Sequence, residues 1–402
     1  MDWSDPQEQA AFRAQVRAVI DEHLPERYRR QAQQAHAGER VWEFDRKSSD
    51  PAAVQAAVAW GAALSARGWV APHWPREYGG AGLSPVEQFV FNQEMAEAGA
   101  PTVGGSGVSL LGPTLIVHGT DEQKAEHLPR ILSGEVAWAQ GYSEPSAGSD
   151  LASLQTRAIR DGDEFVINGQ KIWTSGAHTA DAIFALVRTD PEAPKHRGIS
   201  FLMMDIKTPG ISVRPLVDMG WRHYFNETFF EDVRVPAHNI VGEENRGWYV
   251  GMTLLDFERS NISGAVAARR TISKLLEFAS GEGKALSRLS EVDPLRHEVA
   301  ERYIETEVMY QFSFRVISMQ ARGQIPNYEA STSKLFNSEL VQRLARTGTK
   351  VFGLHANVWE EETVRGSFTH AYVGSVPATI RGGTSEVQRN IIATRGLGLP
   401  RG

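Results

Sequence analysis

Cysteine is absent from all 402 residues. That one absence excludes disulfides, thiolate nucleophiles, Cys-ligated zinc and iron–sulfur clusters, so any redox chemistry has to come from a bound cofactor. No apolar run approaches the roughly 18 residues of a membrane-span candidate. Positive charge is not in excess either. The 42 Lys and Arg against 49 Asp and Glu leave a formal net charge of -7, which argues against a nucleic-acid partner, since phosphate binding normally uses a basic patch. The first residues, Met1-Asp2-Trp3-Ser4-Asp5-Pro6, are acidic and lack both the apolar core of a secretory signal and the Arg-rich face of a transit peptide. The expectation is a cytoplasmic enzyme, free of membrane and metal, long enough for two or three domains.

What is present falls into thirds. Asp5-Pro6-Gln7-Glu8 reads as an N-cap, a Pro at the first helical position and a Glu at the third, followed by Phe12, Val16 and Ile20 at helical spacing. Helical pattern continues over Pro51 to Arg67, Pro85 to Ala98 and Asp121 to Leu132. From about Ala137 the period changes. Gln155 to Arg160, Glu164 to Ile167 and Gln170 to Trp173 read as strands joined by turns at Asp161-Gly162 and Asn168-Gly169. Further strands are predicted at Ala182 to Val187, Ile199 to Asp205, Ile211 to Pro215 and Thr228 to Val235. The final third is helical, with helices predicted over Trp248 to Phe278, His297 to Arg322, Ala330 to Val351 and Ser385 to Thr394. The expected fold class is α+β, mainly α: an N-terminal helical domain (1–136), a middle antiparallel β-domain (137–245) and a C-terminal four-helix-bundle domain (246–402).

Three segments carry candidate chemistry. Gln140-Gly141-Tyr142-Ser143-Glu144-Pro145-Ser146-Ala147-Gly148-Ser149-Asp150 is a Gly/Ser-rich turn at the entry to the β-domain. It can bring backbone N–H groups and small hydroxyls close to a polar, flat ligand. Asn168-Gly169-Gln170-Lys171-Ile172-Trp173-Thr174-Ser175-Gly176 ends in an aromatic and two hydroxyls. An indole face suits packing beside a ring system while Thr174 or Ser175 bonds its polar edge. Arg381-Gly382-Gly383-Thr384-Ser385-Glu386 places glycines before a helix start, where a polarised oxygen is readily accommodated.

Together the first two segments resemble the flavin-binding signatures of the acyl-CoA dehydrogenase family, the third resembles its C-terminal signature, and the order of domains agrees. The resemblance runs from near Asp5 to Pro400. It implies FAD as cofactor, lined by the backbone and hydroxyls of Tyr142, Ser143 and Ser149 and by Trp173, Thr174 and Ser175, with Ser149 also near the substrate pantetheine. It implies that Gly353, Thr384 and Glu386 contact FAD across a dimer.

Many members of that family carry a catalytic Glu two residues before the Thr of the third segment. Here that position is Gly382, which cannot take a proton. A minority carry the base in a Leu-Asp-x-Glu-Arg sequence on the first long C-terminal helix, and this chain reads Leu255-Asp256-Phe257-Glu258-Arg259. By resemblance Glu258 is the base, Asp256 contacts the pantetheine arm, Arg259 is a structural or electrostatic partner, and Gly382 and Gly383 adjoin the substrate. The implied reaction takes an acyl-CoA to a trans-2-enoyl-CoA by α-proton abstraction and β-hydride transfer to flavin N5.

The family's Arg-x-x-Phe-Gly contact to FAD is missing, with Lys284 and Arg288 the nearest cations in the corresponding stretch. That combination resembles members acting on bulky, often steroid-derived, acyl-CoAs. The implied partners are an electron-transfer flavoprotein or similar acceptor and either a homotetramer or a heterotetramer with a related chain. An oxygen-using flavin oxidase or monooxygenase on the same fold, and a non-catalytic subunit of a heteromeric complex, stand as alternatives.

Overall fold

The computed structural model describes residues 5–33, 41–253, 261–281, 287–290, 293–359 and 363–400. In chain order come α1 (Gln7–His23), α2 (Glu26–Gln33), α3 (Val41–Asp45), α4 (Pro51–Ser65), α5 (Pro85–Ala98), α6 (Gly112–His118) and α7 (Asp121–Leu132). The strands follow as β1 (Trp138–Gly141), β2 (Arg157–Asp161), β3 (Glu164–Lys171), β4 (Ala182–Arg188), β5 (Ile199–Asp205), β6 (Ile211–Val217), β7 (His223–Pro236) and β8 (Ile240–Val241). The last helices are α8 (Gly247–Thr253), α9 (Ile262–Ser280), α10 (Asp293–Gln320), α11 (Tyr328–Phe352), α12 (Val364–Gly374) and α13 (Ser385–Ile391).

The chain divides into two compact units, one from Met1–Glu39, Leu83–Pro101 and Glu258–Gly402, the other from Arg40–Gly82 and Thr102–Phe257. In the first, α9, α10, α11 and α12 form the expected four-helix bundle around Ile272, Leu275, Leu340, Val351, Phe352 and Phe368. Helix α5 packs on α9 and α1 on α5. The start of α5 is set locally, because the Ser84 hydroxyl accepts from Glu87 N–H while the Glu87 carboxylate accepts from Ser84 N–H, and Pro85 needs no N–H partner there. Helix α1 is held on α5 by Arg13 and Arg17, which both donate to the buried Glu94 carboxylate.

In the second unit the described residues form an eight-stranded sheet of order β6-β7-β3-β2-β4-β5-β8, with β1 beside β4. Its pairings are antiparallel except β1–β4 and β2–β4. All seven residues of β4 are buried, which is why Ala182 to Val187 is an unbroken apolar run rather than an alternating one. Phe184 of β4 stacks on Phe201 of β5 with ring centroids 5.5 Å apart. Each fully buried side chain of this kind contributes about 1.5–3 kcal/mol relative to exposure.

Several expectations are corrected. Asn168-Gly169 is not a turn but a bulge inside β3, opposite β7. Gly169 has φ +152, and a Cβ there would come within 2.6 Å of Thr156 Oγ1. The Asn168 carboxamide bonds to Asp232 instead of closing a hairpin. Asp5 does not cap α1; its carboxylate accepts from Arg13, and α1 starts one residue after Pro6. The fourth bundle helix is α12, which sequence reading passed over because Val364 to Gly374 is short and carries glycine at both ends. The segment predicted over Ser385 to Thr394 is α13 followed by a π turn at Ile392–Gly396, packed on α11. Of the helix predicted over Trp248 to Phe278, α8 and α9 as far as Phe278 are described and residues 254–260 lie outside the described set.

Gly348 of α11 offers a test of this packing. Alanine in a helix interior normally stabilises by about 0.8–1.0 kcal/mol over glycine, yet a Cβ at Gly348 would sit 2.0 Å from the Phe368 ring. Gly348→Ala is therefore expected to destabilise by about 1–3 kcal/mol, read as a lower urea midpoint; a raised midpoint would contradict the packing.

Candidate active site

The loop after β1 is organised by a carboxylate turned inward. Glu144 is 6% exposed and accepts hydrogen bonds from Gln155 N–H at 2.6 Å, Thr156 N–H at 2.9 Å and Lys171 Nζ at 2.8 Å. Lys171, on β3, is fully buried and also donates to the Tyr142 carbonyl at 3.2 Å. Burial tends to raise the Glu144 carboxyl, but the Lys171 ammonium and the other donors outweigh it and hold it below the usual carboxylate range. Because Gln155 and Thr156 spend their N–H groups on Glu144, β2 begins at Arg157 rather than at Gln155 as predicted.

With Glu144 and Ala147 inside, the tip and end of the turn point out. Glu144 and Ala147 exchange two backbone hydrogen bonds of 3.0 and 3.1 Å, and Ser146, Gly148, Ser149 and Asp150 are exposed. The Tyr142 ring turns edge-on to Phe184 and Phe201, at 6.1 and 6.5 Å between centroids. Its hydroxyl is buried, and burial pushes its ionisation well above the usual tyrosine value, which the neighbouring Gln140 side chain only partly offsets.

The second predicted segment meets the first directly, since Ile172 N–H donates to the Ser143 carbonyl at 2.9 Å. Strand β3 ends at Lys171, and Trp173 takes φ +60, a left-handed conformation that costs a bulky residue about 1–3 kcal/mol. The indole is 53% exposed and lies edge-on to Phe225 at 5.5 Å. Asn226 on β7, fully buried, holds this geometry: Thr174 N–H donates to its carbonyl, and its Nδ2 donates to the Thr174 carbonyl, both at 3.0 Å. The same side chain reaches His178 Nδ1 at 3.1 Å and His223 Nε2 at 2.8 Å, whose rings stack 4.0 Å apart. Thr174 Oγ1 is buried with no hydrogen-bond partner among the described residues, and Ser175 is half-buried. Sequence reading assigned no role to Glu144, Lys171 or Asn226. The signal for all three is a polar residue inside an otherwise apolar stretch, which does not name its partner.

In the other unit, Thr384 caps α13 by accepting from Val387 N–H at 3.2 Å. Gly382 and Gly383 both have left-handed φ, +63 and +88, and no described residue lies within 4 Å of where a Gly382 Cβ would stand. Glu386 is exposed. Gly353 ends α11 at φ +56 beside the exposed Arg288, whose Cδ would be 2.8 Å from a Cβ there. Asp256, Glu258, Arg259 and Lys284 lie outside the described residues.

Three domain families match in the order that this architecture requires: "Acyl-CoA dehydrogenase, N-terminal domain" over residues 6–135, "middle domain" over 139–233 and "C-terminal domain" over 245–397. The chain belongs to the acyl-CoA dehydrogenase family. It is therefore an oxidoreductase, of a family that is flavin-dependent in general. Among curated relatives, acyl-CoA dehydrogenase FadE29 of Mycobacterium tuberculosis is 38% identical over 82% of this chain and 84% of its own length. Acyl-CoA dehydrogenase IpdE1 of the same organism is 39% identical over 85% and 88%. Among solved structures, one described as "Tcur3481-Tcur3483 steroid ACAD" matches with a TM-score of 0.83 at 36% identity over 100% of both chains. The ChsE4-ChsE5 complex from Mycobacterium tuberculosis matches at 0.80 and 34%, again over 100% of both. No described helix is long and apolar enough to cross a membrane.

The Glu144–Lys171 pair yields a prediction in two parts. Lys171→Met leaves a buried carboxylate unpaired and is expected to cost about 3–5 kcal/mol in chemical denaturation, with Glu144→Gln/Lys171→Met recovering part of the loss. The folded value of Glu144 lies below its ordinary one, so its stabilisation is complete above the ordinary carboxylate range and disappears as pH falls through the folded value. Wild type should lose stability more steeply in acid than Glu144→Gln; parallel acid profiles would refute the assignment.

Proposed function

We propose that the chain oxidises an acyl-CoA thioester to its trans-2-enoyl-CoA with FAD, and that Glu258 removes the α-proton. The observation that carries this reading is Gly382: the position usual for the base has no side chain, and no described residue lies within 4 Å of where one would start. The carboxylate must then come from elsewhere, and Leu255-Asp256-Phe257-Glu258-Arg259 supplies one in the family's alternative sequence. An α-proton of a thioester is too weakly acidic for a carboxylate in water. A backbone N–H aimed at the thioester oxygen stabilises the enolate-like charge as it forms, by about 2.7–4 kcal/mol per donor. In this chain the Gly382 N–H would be that donor, with Gly383 beside the substrate, Asp256 toward the pantetheine arm and Arg259 as partner to the acidic pair.

Bound FAD would supply, at N5 of its ring, the acceptor for the hydride leaving the β-carbon. The fit to such a group rests on Trp173, whose strained backbone presents a half-exposed indole, and on Thr174, whose buried hydroxyl has no hydrogen-bond partner among the described residues. Ser143, Ser149 and Ser175, with the backbone of Tyr142, are the further groups assigned to the flavin, Ser149 also to pantetheine. Gly353, Thr384 and Glu386 are assigned to FAD of a neighbouring subunit.

The missing side chain at Gly382, with no described residue within 4 Å of its Cβ position, and the likeness to a structure described as a steroid ACAD support a bulky, ring-bearing acyl group. The likeness to the ChsE4-ChsE5 complex supports assembly with a related chain, and an electron-transfer flavoprotein is the acceptor proposed. Gly382 also favours a second reading, a subunit that does no chemistry itself.

The test is the visible spectrum of purified protein, titrated anaerobically with short, long, branched and steroid side-chain acyl-CoA thioesters. A flavin band bleached by the bulky thioesters is expected, and absence of bound flavin would favour the second reading. Glu258→Gln should keep the flavin and slow bleaching by about 10²–10⁴-fold, the usual worth of a general base. Bleaching at the wild-type rate would remove Glu258 from the mechanism, and peroxide formed in air at the rate of bleaching would identify an oxidase.

A further inference from the structure

The turn that carries Gly382 is held by side chains in addition to its own backbone bonds, Ala378 N–H to the Ser375 carbonyl and Ile380 and Arg381 N–H to the Pro377 carbonyl. Lys334 on α11 donates from Nζ to the carbonyls of Gly383 and, at 3.4 Å, Ala378. Gln342, two turns further along α11, donates from Nε2 to the carbonyls of Ser375 and Val376 at 3.2 and 3.1 Å and to Thr379 Oγ1 at 3.1 Å. Gln388 on α13 donates to the Gly382 carbonyl at 3.2 Å. Lys334 is half-buried and forms no ion pair with a described residue. Its charge is directed at peptide oxygens, and a charge-assisted bond of this kind is roughly twice as strong as a neutral one.

The consequence follows from the planarity of the peptide. In each trans peptide the C=O and the next N–H point in opposite directions, and the plane turns only about φ and ψ. Arg381 N–H donates to the Pro377 carbonyl at 2.9 Å, which anchors the plane before Arg381. Gln388 anchors the plane after Gly382, and Lys334 the plane after Gly383. The plane that carries Gly382 N–H lies between anchored neighbours. No described residue accepts the N–H of Gly382 or of Gly383, and no described residue crowds Gly382 within 4 Å of its Cβ position. Two consecutive glycines at positive φ would otherwise be among the most mobile points of a chain, because glycine has the largest backbone freedom to lose.

We infer that Lys334, together with Gln388, is a positioning residue for the thioester: by holding the Gly383 and Gly382 carbonyls it aims the free N–H of Gly382 at the substrate carbonyl oxygen. This rests on the proposed acyl-CoA chemistry and deepens it. Lys334 touches neither proton nor substrate; it acts through the peptide.

The experiment reads the carbonyl itself. The probes are the trans-2-enoyl-CoA thioesters of octenoate and of a steroid side-chain acid, each labelled with carbon-13 at the thioester carbonyl, bound to the complete FAD-loaded protein. In wild type the isotope-edited carbonyl stretch of at least one probe should fall below its value in water. Lys334→Met should lose at least half of that shift, Lys334→Arg should retain most of it, and Gln388→Met should weaken it with Lys334 intact. With the thioester that bleaches best, Lys334→Met is expected to lower kcat about 10–100-fold, the scale of a mis-set oxyanion donor, with KM within about threefold. A wild-type stretch in both Lys334→Met and Gln388→Met, with the probe bound, overturns the positioning role and leaves the acyl-CoA reading standing. If neither probe shifts in wild type, both readings fall. Should Lys334→Met not fold, the Gln388→Met stretch decides.

Discussion

One buried ion pair decides how the β-unit presents itself. Glu144 and Lys171 are both withdrawn from water, and each would be costly there alone. Paired, they draw together the loop after β1, the start of β2 and the end of β3, because the carboxylate has room for two backbone N–H donors besides the ammonium and the ammonium has a donor left for the Tyr142 carbonyl. A pair like this is weak support for stability as such, since apolar residues of similar size often do as well. Its effect is on geometry. With Glu144 facing inward, Ser146, Gly148 and Ser149 have to face out, and the Ser143 carbonyl is brought to Ile172, one residue before the indole that turns to solvent.

The helical unit uses the same device with different parts. From Ser375 to Thr384 a short 3-10 turn satisfies the Ser375 and Pro377 carbonyls by backbone bonds, and Lys334, Gln342 and Gln388 take the carbonyls of Gly383, Val376 and Gly382. In both units side-chain donors and acceptors occupy one edge of an irregular backbone and leave the other edge free. Strain is confined to Trp173, whose φ of +60 is tolerated because neighbouring bonds over-determine it, whereas Gly382 and Gly383 adopt positive φ without strain. That pattern, rather than any single motif, distinguishes these two stretches from ordinary loops.

Much of the fold was legible beforehand. The bounds of α5 and α7 were read correctly because their start signals are local, a capping box in each case, and the β2–β3 turn was read from Asp161-Gly162, where Gly162 takes φ +63. The misreadings share a cause. Asn168-Gly169 has the composition of a turn, but Thr156 and Asp232 convert it into a bulge. Helix α12 has weak local preference and exists because Phe368 is accepted into the bundle core. The candidate site divides in the same way: Ser143, Ser149, Trp173 and Gly382 were found by motif, whereas Asn226 and Lys334 were not, because their partners lie far along the chain.

By itself the sequence determined the order of helical and β regions, the absence of thiol chemistry, the glycine at position 382 and the carboxylate at position 258 in its Leu-Asp-Phe-Glu-Arg setting. These depend on residue type and short spacing, which local sterics and hydrogen bonding translate directly. Only the tertiary structure decided that Glu144 points inward, that the Tyr142 hydroxyl is buried while the Trp173 ring is exposed, and that Lys334 spends its charge on peptide oxygens. Each of those outcomes joins residues distant in sequence, 27 apart for Glu144 and Lys171, 52 for Thr174 and Asn226, 49 for Lys334 and Gly383. The free energy of such contacts is set by burial and by competing partners, neither of which exists until the chain has folded.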